Sequence, residues 1–134
     1  MFELRIETDF PASHHLVGYA GACARLHGHN WKVEVFVRSR NVDQVGIAVD
    51  FKIIKMATRE LIENWDHQDL NTLPEFKDFN PSAENMARVI YQHLSKVINR
   101  PVDASTVEKR TTWIHKVSVW ESERASASYF EELT

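Results

Sequence analysis

Residues 27–38 (HGHNWKVEVFVR) alternate without a break, from a pair of histidines into a stripe of Trp31, Val33, Val35 and Val37. Successive side chains of a strand point to opposite faces. The pattern therefore predicts one long strand with the stripe on a buried face and Lys32, Glu34 and Phe36 on the other. A strand of that kind needs a sheet beside it and a cover over its apolar face. His27 and His29 are two apart, so they share a side, with Cα atoms about 6–7 Å apart. Two imidazoles at that separation can converge on one ion.

The rest of the chain supplies the sheet and the cover. Residues 2–10 alternate through Phe2, Leu4 and Ile6 and predict a strand continuing towards His14 and His15. Residues 16–26 (LVGYAGACARL) hold two of the four glycines and predict a loop, and 40–47 a turn. Asp50 is placed to cap a helix over 51–65 whose Phe51, Ile54, Ala57, Leu61 and Trp65 face a core. A second helix is expected to start at Asn80-Pro81, with Pro at its first position and an apolar stripe of Ala83, Met86, Ile90, Leu94 and Val97. It ends at Asn99-Arg100-Pro101. Residues 115–122 alternate with Val117, Val119 and Glu121 on one face, and 125–130 predict a last short strand. The order ββααββ predicts an α+β fold, an antiparallel sheet with two helices on one face.

A length of 134 residues predicts a single domain over 1–134. A net charge of −3 gives no basic footprint for nucleic acid, and no apolar run reaches the roughly 20 residues of a membrane span. The charged, alternating start, MFELRIETDF, is not expected to be a signal peptide. One cysteine forms no internal disulfide and fits a reducing cytoplasm.

Seven histidines are many for this length, and His14, His15, His27 and His29 lie within sixteen positions. If the first two strands pair as a hairpin across the 16–26 loop, a histidine of the first joins His27 and His29. Three nitrogens with an open fourth position are the pattern of a catalytic zinc site. His14 and His15 face opposite sides of a strand, so one ligates, and spacing alone does not choose. Cys23, four positions before His27, is a base or nucleophile beside such a metal, or the fourth ligand of a closed His3Cys site, or a small buried hydrophobe. Asp66-His67 pairs a carboxylate with an imidazole, although adjacent side chains rarely bond to one another. Glu121 shares its face with two valines and needs a partner, for which an amidine-like ligand edge would serve.

These residues fall in a recognisable order: F-x-A-x-H at Phe10–His14, C-x3-H-G-H at Cys23–His29, D-H at Asp66-His67, N-P-S-A-E-N at Asn80–Asn85, and a late strand ending at Glu121. The chain resembles the 6-pyruvoyl-tetrahydropterin synthase family over roughly residues 2–130. It is most similar to the bacterial branch that makes 6-carboxy-5,6,7,8-tetrahydropterin in queuosine biosynthesis. Pyruvoyl-type members place five residues between the cysteine and H-G-H, and here there are three.

The resemblance implies a tunnelling fold, in which three protomers close a barrel and two trimers stack as a homohexamer. It implies a zinc ion on His14, His27 and His29, with His14 chosen over His15 because it stands four positions after Phe10. It implies Cys23, Asp66 and His67 as the catalytic group and Glu121 as the anchor of the pterin ring. Ser82 and Glu84 fall among further pocket contacts. Arg25 lies in the right loop to meet a triphosphate. The implied substrate is 7,8-dihydroneopterin triphosphate, and the implied reaction releases triphosphate and acetaldehyde. Two alternatives stand beside this: pyruvoyl-tetrahydropterin synthesis from the same substrate, and a non-catalytic zinc-stabilised module closed by Cys23.

Overall fold

A computed structural model describes residues 1–101 and 110–132. Strand β1 (Phe2–His14) pairs antiparallel with β2 (His27–Ser39) along its whole length, from Phe2 opposite Ser39 to His14 opposite His27. After β2 the chain forms helix α1 (Phe51–Ile62) and helix α2 (Ala83–Ile98). It returns through the two-residue β3 (Arg100–Pro101), then β4 (Arg110–Ser122) and β5 (Ala125–Tyr129). The sheet runs β1-β2-β4-β3, with β5 also on β4. The expected α+β architecture is present. β4 is longer than the alternation of 115–122 suggested, and β3 was not anticipated.

One face of the sheet is buried under the helices. Ile6, Phe10 and Ala12 of β1, Trp31, Val33, Val35 and Val37 of β2, and Val117 and Val119 of β4 form its core side. Ile54, Leu61 and Ile62 of α1 and Met86, Ile90 and Leu94 of α2 pack onto it. The opposite face carries charge, with Arg5, Glu7, Lys32 and Glu34 joined by ion pairs. That division is the period-two pattern of the sequence made physical.

The helix boundaries differ from expectation for local reasons. Asp50 caps α1 by accepting from Lys52 N at 2.9 Å, as its position predicted. The helix stops at Ile62 rather than 65, because Asn64 and Trp65 bond back three residues and tighten the chain into turns. Trp65 remains in the core, fully buried against Phe10 and Phe76. Phe51, expected inside, is 56% exposed. Thr58 is buried on the inner stripe instead, with its hydroxyl satisfied by Ile54 O at 2.7 Å. Helix α2 begins at Ala83, two residues after Pro81, because Ser82 is the N-cap and accepts from Asn85 N at 3.1 Å. At the other end Ile98 takes the buried place expected of Val97, which is exposed.

Candidate metal and catalytic site

The apolar stripes of three neighbouring strands end in polar residues at the same edge of the core. On β1, Phe10 and Ala12 lead to His14. On β2, Trp31 is preceded by His29 and His27. On β4, Val117 and Val119 lead to Glu121. Because pairing sets His14 opposite His27 and Ala12 opposite His29, the three imidazoles lie on one face. One ligand atom from each of His14, His27, His29 and Glu121 falls within 4.8 Å of all the others. The rings of His14 and His29 stand edge-on to Trp31, with centroids 4.9 and 4.8 Å away. Trp31 is itself wholly buried, so the cluster rests on a dry floor.

The outer nitrogens of two of these rings are already used. His14 Nδ1 donates to Pro81 O at 2.7 Å, and His27 Nδ1 donates to Arg25 O at 2.7 Å. A neutral imidazole has one N–H, so each Nε2 is left with a lone pair. The two Nε2 atoms face one another at 3.0 Å. Lone pairs at that distance repel unless a cation or a proton lies between them. His29 Nε2 is buried and makes no hydrogen bond, although Glu121 Oε1 lies 2.8 Å away. Burial pushes the pKa of His14 below the usual imidazole value against the opposing Pro81 bond, and burial also lowers that of His29. Both shifts favour the neutral, metal-binding form. Three imidazoles, two of them with tautomers fixed by backbone carbonyls, an orphaned buried nitrogen on the third and a carboxylate fit a zinc-type N/O donor set.

Cys23 is not a member of this group. The carboxylate that approaches the three imidazoles is that of Glu121, and the thiol of Cys23 has no place among these atoms. Cys23 sits half-buried and unpaired as a thiol in a short 3-10 turn, Ala22–Ala24. That loop is tied to the end of β1 by Leu16 N donating to Cys23 O at 2.8 Å. Two asparagines hold the chain between them. Asn71 exchanges both side-chain bonds with the backbone of His15, and Asn80 does the same with Val17. His15 thus serves this backbone clamp and lies outside the metal group.

Asp66 and His67 pair directly, against the expectation for neighbours. His67 Nδ1 donates to Asp66 Oδ1 at 2.6 Å. The bond is possible because His67 adopts φ 59°, a left-handed conformation uncommon outside glycine. His67 N donates to Pro11 O at 2.7 Å, which hangs the pair on the free edge of β1. With Ser13, Gly28, His29 and Asp69, His67 lines an open cleft of about 460 Å³. Among the described residues no hydrogen bond or ion pair joins Asp66 or His67 to Cys23 within the protomer. Ser82 caps α2, Glu84 is exposed in the first turn of that helix, and Arg25 is exposed in the cysteine loop.

Comparison with known proteins decides the lineage. The profile of the 6-pyruvoyl tetrahydropterin synthase family matches residues 3–132. The chain belongs to that family. It is 32% identical to the 6-carboxy-5,6,7,8-tetrahydropterin synthase of Aquifex aeolicus, over 82% of this chain and 76% of that protein. It is 30% identical to the enzyme of the same name from Synechocystis, over 92% and 89% of the two chains. A match to the Rickettsia bellii enzyme of that name reaches 38% identity but spans 44% of each chain. The solved structure of Caenorhabditis elegans 6-pyruvoyl tetrahydropterin synthase superposes with a TM-score of 0.78 at 22% identity, covering 98% of this chain and 96% of that one. At that identity the likeness establishes the shared fold.

Sequence reasoning had no signal for the carbonyls of Pro81 and Arg25, which orient the imidazoles of His14 and His27 through backbone atoms. Nor did it single out Arg59 or Asn71, and it read Asn80 as a helix start and a motif position, not as a clamp on Val17. Paired bonds from Asn71 to a histidine-bearing segment become visible only once the fold sets them side by side.

Proposed function

We propose that this member of the family is a zinc-dependent lyase. It converts 7,8-dihydroneopterin triphosphate to 6-carboxy-5,6,7,8-tetrahydropterin, releasing triphosphate and acetaldehyde, within queuosine biosynthesis. The observation that carries the proposal is the convergence of the His14, His27 and His29 nitrogens on one point, with the tautomers of His14 and His27 set by Pro81 and Arg25. The carboxy-type product is supported by the names of the relatives and by the three-residue spacing between Cys23 and His27.

His14, His27 and His29 would hold the zinc, which when bound supplies Lewis acidity towards the substrate's side-chain oxygens. Glu121 would receive the 2-amino and N3 edge of the pterin as a paired acceptor, fixing the reacting carbons at the histidine cluster. Cys23 as thiolate would take the proton from the substrate side chain. The Asp66–His67 pair would relay it, with Asp66 holding the proton on His67 Nδ1 and leaving Nε2 free to exchange one. Ser82 and Glu84 would line the pterin pocket, and Arg25 would meet the triphosphate.

Asp66–His67 hang on the β1 edge, while Cys23 sits in the loop after it. We therefore place the complete site between protomers of a homohexamer, one copy giving Cys23 and the zinc ligands and another giving Asp66 and His67. No helix of the described residues is long and apolar enough to cross a membrane, and a free thiol suits the cytoplasmic setting included in this reading. The test is turnover of 7,8-dihydroneopterin triphosphate by the zinc-loaded protein with identification of the products.

A further inference from the structure

The Asp66–His67 bond uses one oxygen of the aspartate. The other, Oδ2, lies 3.5 Å from Arg59 Nη2. Arg59 stands in the last turn of α1, and its guanidinium is held on a second side. Its Nη1 donates to Asp9 O at 2.9 Å and to Thr8 Oγ1 at 3.2 Å, both on β1. The planar fork thus spans from the β1 backbone to the carboxylate. An isolated surface pair of this length would contribute little. Here both side chains are largely covered, 29% and 27% exposed, and three acceptors share one rigid group. Asp66 is fixed from below as well, its N–H donating to Ile62 O at 2.9 Å. The arrangement leaves Asp66 one direction in which to present Oδ1, towards His67.

We infer that Arg59 is a positioning residue, holding Asp66 so that Oδ1 stays on His67 Nδ1 and His67 stays in the tautomer with Nε2 open. The inference deepens the proposed proton relay and rests on it for its catalytic consequence. Its structural content stands apart from that reading. Without Arg59, Asp66 is free to rotate to solvent. His67, whose side chain is 79% exposed, then loses the acceptor that fixes its proton.

Long-range nitrogen-15 spectra of histidine-labelled, metal-loaded protein test this, at a pH above the imidazole titration range. The His67 signals are assigned by their loss in His67→Gln. In the parent protein His67 Nδ1 reads as protonated and Nε2 as unprotonated. In Arg59→Met, which keeps the apolar stem, the two signals move towards the averaged positions of mixed tautomers. In Arg59→Lys, which keeps the charge and one reach, they return part-way. Turnover in Arg59→Met falls about tenfold in kcat with KM within about twofold, a fraction of the roughly 10²–10⁴ a positioned acid–base group supplies. Arg59→Lys recovers part of it. Unchanged His67 signals in folded Arg59→Met, or in Arg59→Lys should the Met variant not fold, would overturn the inference. Full turnover in His67→Gln would instead overturn the relay and leave the positioning result standing.

Discussion

His14 and His27 sit opposite one another at the end of the β1–β2 ladder with their Nε2 atoms 3.0 Å apart, each having given its Nδ1 proton to a backbone carbonyl. Two lone pairs held face to face are an arrangement that a cation relieves. We expect about one zinc per chain in protein isolated without chelator, and His27→Ala to lose it. Chelation should lower Tm by at least about 5 °C, since a ligand bound only to the native state adds its binding energy to stability. Unchanged Tm and turnover after exhaustive chelation, checked by metal analysis, would count against the site.

Cys23 lies outside the ligand group, so its removal separates catalysis from metal binding. Cys23→Ala should retain zinc and its melting temperature while kcat falls by at least about 10²-fold. Loss of zinc together with fold in that variant would support a structural His3Cys site instead. Metal content and a thermal melt on the same sample decide between them.

The proposed division of the site between copies makes a prediction about mixtures. Cys23→Ala and His67→Gln are each expected to be inactive alone. If one protomer gives Cys23 and another His67, randomly mixed oligomers should regain about a quarter of the parental sites, as the symmetry of a shared interface requires. Activity after co-refolding or co-expression is the measurement. Recovery would be absent if each chain carried its own complete site.

Glu34 gives the helix-free face of the sheet a pH dependence that is independent of the metal. Burial raises its pKa, but hydrogen bonds from Arg5 and Trp120 and the charges of Arg5 and Lys32 outweigh this and hold it below its ordinary 4.5. A folded pKa below the unfolded one contributes stability above the unfolded value, lost as pH falls through the folded one. Stability should therefore decline on acidification from about pH 4.5 downwards, and Glu34→Gln should flatten that decline. At neutral pH the substitution should cost about 1–2 kcal/mol, at the low end for a charged hydrogen bond because Arg5 is partly exposed. Denaturant melts of both proteins across the acid range measure this.

The parts of the site legible in sequence were those written in alternation. His27 and His29 at the head of the Trp31–Val37 stripe, and Glu121 after Val117 and Val119, follow from period two alone. Spacing alone did not choose His14 over His15; the family resemblance chose it by its place four positions after Phe10, and the ladder sets it opposite His27. The Asp66–His67 bond was not legible, since it depends on a φ of 59° at a non-glycine residue. Arg59 was hidden for a simpler reason. A charged residue of a helix is solvated by default, and only the position of β1 turns this one into a three-way clamp. The shifted start of α2 belongs with these, because Ser82 outcompeted Asn80-Pro81 as a cap while Pro81 gave its carbonyl to His14.

The proposed reaction is tested by incubating the zinc-loaded protein with 7,8-dihydroneopterin triphosphate and analysing the products. We expect 6-carboxy-5,6,7,8-tetrahydropterin together with acetaldehyde and triphosphate, all lost on zinc removal and restored with it. Accumulation of 6-pyruvoyltetrahydropterin without acetaldehyde, or no consumption of the substrate by metal-replete protein, would contradict it.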